Sequence, residues 1–295
     1  MSVNYKDFIH PLDESARNKL EDLPGFQKLM EWYLKIGTER MIHGTYTANY
    51  IRLSPTQLPE LYNRLPRICE QFGIEEPEFF LSMNPYPNAW TVGDHKTFLT
   101  ITSGLVEFLN DDELDAVIAH ECGHILCRHV LYHTVGYYLF GLLVASIPLA
   151  RTLSMPIAEA LLYWQRRSEL SADRAASLLQ DDSSAISHAL LRLAGGPSSI
   201  TEKLNIEEYA KQAEDYTEIR KNRWDRILQN LSIMGTNHPF MSVRFSELSK
   251  WEKSEEFRSI RQKIKSDVIN ISCPKCGRII VSNHNFCTYC GEKIK

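Results

Sequence analysis

Asn110-Asp-Asp-Glu-Leu-Asp-Ala-Val-Ile-Ala-His120-Glu121-Cys122-Gly123-His124-Ile-Leu-Cys-Arg-His129 is the stretch on which the reading of this chain turns. It opens like a helix. Asn110 with Glu113 fits a capping box, and Asp111 and Asp112 stand in the first turn, where the helix dipole favours negative charge. Leu114, Val117, Ile118, Ile125 and Leu126 supply apolar faces, so a helix is expected from Asn110 to about His133. Within it, His120 and His124 are four apart and share a face. Both imidazoles can then reach one Zn2+. Glu121 lies about 100° around the helix, near enough to meet a water on the metal without being a ligand. A metal that lowers the pKa of water, beside a carboxylate that takes its proton, is the chemistry of hydrolysis at a carbonyl.

Neighbouring residues divide into candidates and bystanders. Cys122 sits about 200° from His120 and reads as a small buried apolar residue. His129 would lie half a revolution from His120 on a continuous helix, and His133 is also off the metal face. Both read as polar or packed helix residues. Position 130 is Val, which excludes a third histidine of the HExxHxxGxxH kind. Downstream, Ser168-Glu169-Leu170-Ser171-Ala172-Asp173-Arg174 belongs to a second helix, expected over about Ile157 to Leu179. Glu169 and Asp173 share a face there. By spacing alone they are either a surface carboxylate pair or a third ligand with a partner for the second ring N–H of a ligand histidine.

The rest of the chain sets the frame. It has 295 residues, 43% hydrophobic and 24% charged, with net charge -4, which allows a real core and does not point to nucleic acid. Residues 1 to about 70 look helical, with Leu29, Trp32, Tyr33 and Ile36 on one face. Three strands are expected at Glu78 to Met83, Asn88 to Val92 and Thr97 to Thr102. Polar helices fill 183 to 232, a loop follows at Gly235 to Pro239, and Trp251 to Lys265 reads as the closing helix of the main unit. The N-terminal stretch shows no export signal, so paired CxxC cysteines suit a metal site in a reducing cytoplasm.

Cys273, Cys276, Cys287 and Cys290 form two CxxC-Gly knuckles ten residues apart. Four thiolates make a closed, structural zinc site, and a unit of residues 271–295 would have the metal as its core. Such a ribbon is expected to dock a protein partner or substrate; its few basic residues do not argue for nucleic acid. Val135 to Ala150 is an uncharged, mostly apolar run of 16 residues, short of the ~20 needed to span a membrane. A helical hairpin buried in or covering the cleft is expected there, with peripheral membrane contact as the alternative.

With these pieces in order, the run from Asn88 through HECGH to His129, then SELSADRAA at 168–176 and NHPFMSVRFSEL at 237–248, resembles the HtpX and CAAX-prenyl endopeptidase family of zinc peptidases. The resemblance spans about Tyr50 to Trp251. It implies a mainly helical α+β, gluzincin-type fold with a short antiparallel sheet, occupying residues 1–270 ahead of the ribbon. It implies Glu169 as third zinc ligand and Asp173 as its support. It implies that His238, followed by Pro239, and Arg244 stabilise the oxyanion; a latch role for His238 at the open zinc position is the alternative, and the two predict opposite effects of His238→Ala. It places Asn88-Ala89-Trp90 on the strand beside the cleft, where an extended substrate adds. The expected activity is zinc-dependent cleavage of internal peptide bonds in protein substrates, in the quality control of damaged or membrane-associated proteins. The competing reading is a non-proteolytic adaptor or holdase working through the ribbon. Cys122 is a departure, since the family usually has an aliphatic residue there.

Overall fold

In the computed structural model, the described residues are 4–145, 148–179, 184–219, 240–266, 270–277, 279–281 and 292–293. The N-terminal part is helical as expected. After a short 3-10 turn at Tyr5–Asp7 come α1 (Pro11–Glu21), α2 (Phe26–Ile36) and α3 (Thr38–Asn49). Two residues of strand, β1 (Ile51–Arg52), interrupt the helices before α4 (Pro59–Tyr62) and α5 (Arg64–Phe72).

The three expected strands form as β2 (Glu78–Ser82), β3 (Ala89–Gly93) and β4 (Thr97–Thr102). The sheet they make with β1 is mixed, not antiparallel. Its order is β1-β2-β4-β3, with β2 and β4 parallel and β3 antiparallel to β4. The turn-rich segment after β2 carries the chain past the place of β4, so β3 lands at the sheet's edge and β4 returns between them. Gly93 makes the β3–β4 turn possible: at φ +129°, a Cβ there would collide with the Lys96 carbonyl. Alternation gives the sheet two faces. Phe80, Phe98 and Val92 pack against Ile42, Tyr46 and Tyr50 of the α3 region. Phe79, Leu99, Ile101 and Ala89 join the main core with α5 and the helix of the HECGH segment.

After α6 (Ser103–Phe108), that helix is α7 (Asp111–Leu126). Its capping box is formed: Asn110 Oδ1 accepts from Glu113 N–H at 2.9 Å, and Glu113 Oε2 accepts from Asn110 N–H at 3.0 Å. Such a cap contributes about 1 kcal/mol. The helix stops seven residues short of expectation. Arg128 takes a left-handed conformation at φ 59°, His129 N–H donates to His124 C=O at 2.8 Å, and Arg128 N–H donates to Ile125 C=O at 3.0 Å. This is a Schellman turn built without glycine. A new helix, α8 (Val130–Ala145), starts directly after it.

α9 (Pro148–Leu179) is longer than expected, because it continues N-terminally through Pro156. α8 and α9 pack against each other. Val135 of α8 is buried, while the side chains from 139 to 155 lie outside those described. Among the described residues, no helix is long and apolar enough to cross a membrane. Then follow α10 (Ala185–Gly195), α11 (Ser198–Thr201) and α12 (Ile206–Ile219). Residues 220–239 are outside the described set. The expected single helix over Trp251 to Lys265 is two, α13 (Met241–Glu252) and α14 (Glu255–Ser266). Ser254 divides them: its Oγ accepts from Phe257 N–H at 3.1 Å, starting a new helix.

Beyond them, β5 (Asn270–Ser272) and β6 (Ile279–Val281) pair antiparallel around the first knuckle. Cys273 is buried, Cys276 is exposed, and Gly277 has φ +69°. Cys287 and Cys290 lie outside the described residues.

Candidate active site

α7 and α9 cross closely at Gly123. A Cβ there would stand 2.9 Å from Ala175 Cβ and 3.2 Å from Ala172 Cα. Glycine inside HECGH therefore lets the two helices approach until Glu169 reaches the histidine pair.

His120, His124 and Glu169 are each 3% exposed, and their donor atoms converge. His120 Nε2 and His124 Nε2 are 3.2 Å apart, Glu169 Oε2 is 3.5 Å from His120 Nε2, and Oε1 is 3.4 Å from His124 Nε2. A tetrahedral zinc with bonds of about 2.0–2.1 Å needs its ligand atoms about 3.3 Å apart. The two nitrogens stand at that separation and each has one Glu169 oxygen close to it, so this donor set fits zinc. Among the described residues, no other cluster of this kind occurs.

Glu121 is 1% exposed, and its Oε2 accepts a hydrogen bond from Thr91 Oγ1–H at 2.8 Å. Thr91 is on β3, on the face that meets α7. Its hydroxyl was not picked out from the sequence, although the alternation along β3 puts position 91 on the same face as Ala89.

Behind the donors lies a second layer of charge. His120 Nδ1 is 2.9 Å from Asp173 Oδ1. Arg244, from α13, donates from Nε to Asp173 Oδ2 at 2.8 Å and from Nη2 to Oδ1 at 2.6 Å. Its Nη1 stands 3.2 Å from Glu169 Oε2. All of these groups are buried, and the pKa shifts follow the balance of burial and pairing. Burial works against the charged form of His120, but hydrogen bonds to Asp173 and Glu169 outweigh it and raise the pKa to about 9. Burial dominates at His124 and pushes it well below the ordinary histidine value. Burial raises Asp173, but Arg244 and then His120 hold it below the usual carboxylate range.

His129 and His133 are not bystanders on a remote helix face. The turn at Arg128 folds the chain back, which places His129 Nδ1 2.9 Å from His124 Nδ1. The ring centroid of His133 is 4.8 Å from that of His124, and its Nε2 is 2.8 Å from Ser168 Oγ. The half-revolution estimate assumed an unbroken helix, and the break removes that premise.

On the sheet side, β3 is an edge strand. Asn88 precedes it, with its backbone bonded to Thr102. Ala89 is buried, and Trp90 turns to the opposite face, where Nε1–H donates to Tyr46 OH at 2.8 Å. Gly93 N–H donates to Thr134 Oγ1 at 2.9 Å, and the same hydroxyl bonds Gly93 C=O at 3.2 Å. The far end of the edge is thus closed by α8. His238 and Pro239 lie outside the described residues.

Known proteins give this arrangement its relatives. The model of Peptidase family M48 matches residues 55–252. The plastoglobule-localized metallopeptidase 48 of the Arabidopsis thaliana chloroplast is 31% identical over 257 residues, covering 86% of this chain and 74% of that protein. A protease HtpX homolog of Campylobacter curvus is 24% identical, over 75% of this chain and 84% of the relative. One from Pyrococcus furiosus is 31% identical over 116 residues, 39% of each chain. No solved structure gives a significant match. The family match takes in β2 to β4, the HECGH helix, Glu169 and Arg244, and on that ground the chain belongs to peptidase family M48 and is a metalloprotease hydrolase.

Proposed function

We propose that this chain cleaves internal peptide bonds of protein substrates with one zinc ion held by His120, His124 and Glu169. The convergence of their donor atoms carries the reading, since the two imidazole nitrogens are 3.2 Å apart and the carboxylate brings one oxygen to 3.5 Å from His120 and the other to 3.4 Å from His124. Bound there, zinc would polarise the scissile carbonyl and lower the pKa of a water in its fourth position towards about 7.

The chain's own residues do the rest. Glu121 takes the proton of the attacking water on its carboxylate and passes it to the departing amine nitrogen. Thr91 holds Glu121 through a hydrogen bond to Oε2. Asp173 accepts from His120 Nδ1–H, which keeps Nε2 as the ligand atom. Arg244 neutralises Asp173 and Glu169 from behind. His238 is the proposed donor to the oxyanion, with Arg244 supporting positive charge near it.

An extended substrate is proposed to lie along edge strand β3 at Asn88, Ala89 and Trp90. Thr134 on Gly93 sets the end of that register. A second, structural zinc is assigned to Cys273, Cys276, Cys287 and Cys290. The hairpin of β5 and β6 and the left-handed Gly277 support the first knuckle of this ribbon, whose role is to dock a protein partner or substrate. A place in protein quality control is part of the proposal and rests on the family resemblance alone.

Casein cleavage tests the zinc dependence. Chelation is expected to abolish cleavage, and one added equivalent of zinc per catalytic site to restore it. Cleavage that persists without metal would sink the reading.

A further inference from the structure

His124 shows its two ring nitrogens to different surroundings. Nε2 faces His120 and Glu169. Nδ1 faces away from them, 2.9 Å from Nδ1 of His129. His129 in turn brings Nε2 to 3.0 Å from Asp13 Oδ2. Asp13 and His129 are both 0% exposed. Asp13 belongs to the first turn of α1, far outside the family-matched segment that begins at residue 55.

With His129 neutral, one arrangement of protons satisfies this line of groups. The Asp13 carboxylate only accepts, so His129 Nε2 carries its proton. A neutral imidazole has one N–H, which makes His129 Nδ1 an acceptor. His124 Nδ1 must then donate, and His124 Nε2 is left with a lone pair aimed at the His120–Glu169 cluster. That is the tautomer in which an imidazole binds a metal through Nε2.

We propose that Asp13, acting through His129, fixes the tautomer and ring orientation of His124, so that α1 is a working part of the metal site. This rests on the reading of His120, His124 and Glu169 as ligands. The two ligand histidines are then served alike: His120 has a carboxylate directly behind it in Asp173, and His124 has one a single imidazole away. The carboxylate at the end of the line is itself fixed. Trp164 Nε1–H donates to Asp13 Oδ1 at 2.8 Å, and Ser171 Oγ–H donates to Oδ2 at 2.6 Å, both from α9, the helix of Glu169. The N-terminal segment is fastened at both ends of the line. His10 N–H donates to Ser171 Oγ at 3.0 Å, and Arg174 Nη1 donates to Phe8 C=O at 3.2 Å. Arg17 Nη2 donates to Cys127 C=O at 2.7 Å, in the turn just before His129. Asp13 and His129 are positioning residues and touch neither substrate nor metal.

Asp13→Asn is the discriminating variant. It keeps the shape, but the amide removes the charge that holds His129 Nε2–H, and its own N–H favours the reverse tautomer. In the full-length chain, zinc competition against a chromophoric chelator is expected to show a 10- to 100-fold weaker catalytic site. The 15N resonances of His124 in the zinc-loaded chain should shift with it. Tyr132→Phe removes a hydrogen bond that ties α1 to α8 through Glu21 Oε1, outside this line, and should keep wild-type zinc affinity. His129→Phe, which retains a ring among His133 and Trp164 but offers no acceptor, should weaken zinc to the same extent and serves if Asp13→Asn does not fold. Wild-type affinity and unchanged resonances in Asp13→Asn or His129→Phe would overturn the relay, as would an equal loss in Tyr132→Phe. If Glu169→Gln removes no zinc from the chain, the ligand reading itself falls, an outcome distinct from failure of the relay alone.

Discussion

Glu121→Gln is expected to lower casein cleavage roughly 100- to 10,000-fold, the range for loss of a positioned general base. Zinc content should stay at the wild-type level, because the carboxylate is not among the three converging donors. The fold should survive as well. Thr91 Oγ1–H can still donate to the amide oxygen, so the buried side chain keeps its partner. What the amide cannot do is accept a proton. The measurement is kcat with zinc analysis and thermal unfolding on the same preparations. Loss of cleavage accompanied by loss of zinc would make Glu121 a ligand or a structural residue. Retained cleavage would remove it from the mechanism. A protein acting only as an adaptor would be indifferent to the change.

Arg244→Met should cost more stability than any exposed substitution. The guanidinium faces two carboxylates, Asp173 and Glu169, in a region closed to water. Removing one partner of a buried charge pair destabilises by about 3–5 kcal/mol, because the remaining charges are left uncompensated. For a chain of this size that corresponds to a fall in Tm on the order of 10 °C. Lysine should not rescue it, since a single ammonium cannot reproduce the two-pronged contact with Asp173 while also reaching Glu169. Bound zinc brings positive charge to the same carboxylate cluster, so the fall in Tm should be larger for the metal-free protein than for the zinc-loaded one. Unfolding curves with and without zinc check this; equal falls in both would place Arg244 outside the electrostatics of the site.

Much of the site was legible before any coordinates. The capping box at Asn110, the four-residue step from His120 to His124 and the pairing of Glu169 with Asp173 are local patterns, and helical geometry turns each into a position. What was not legible depends on turns and on distant contacts. Arg128 adopts a left-handed conformation usually marked by glycine, so the sequence around it reads as unbroken helix and His129 is assigned to the wrong face. Asp13 meets His129 only after α1 has packed onto α9, a contact that periodicity does not encode. The mixed sheet was missed for a related reason. Hairpin signals favour antiparallel neighbours, whereas β2 and β4 pair in parallel across the intervening β3. Thr91 is the one omission that the alternation of β3 could have supplied. The split at Ser254 carried a signal too, since its hydroxyl starts α14 in the manner of an N-cap.

On the proposed reading, His120, His124 and Glu169 hold the zinc on which cleavage depends. Zinc content measured beside casein cleavage, for the wild-type chain and for Glu169→Gln, tests it most directly. One zinc fewer per chain is expected in the variant, together with loss of cleavage. Equal zinc in the two proteins, or cleavage undiminished in Glu169→Gln, would contradict it.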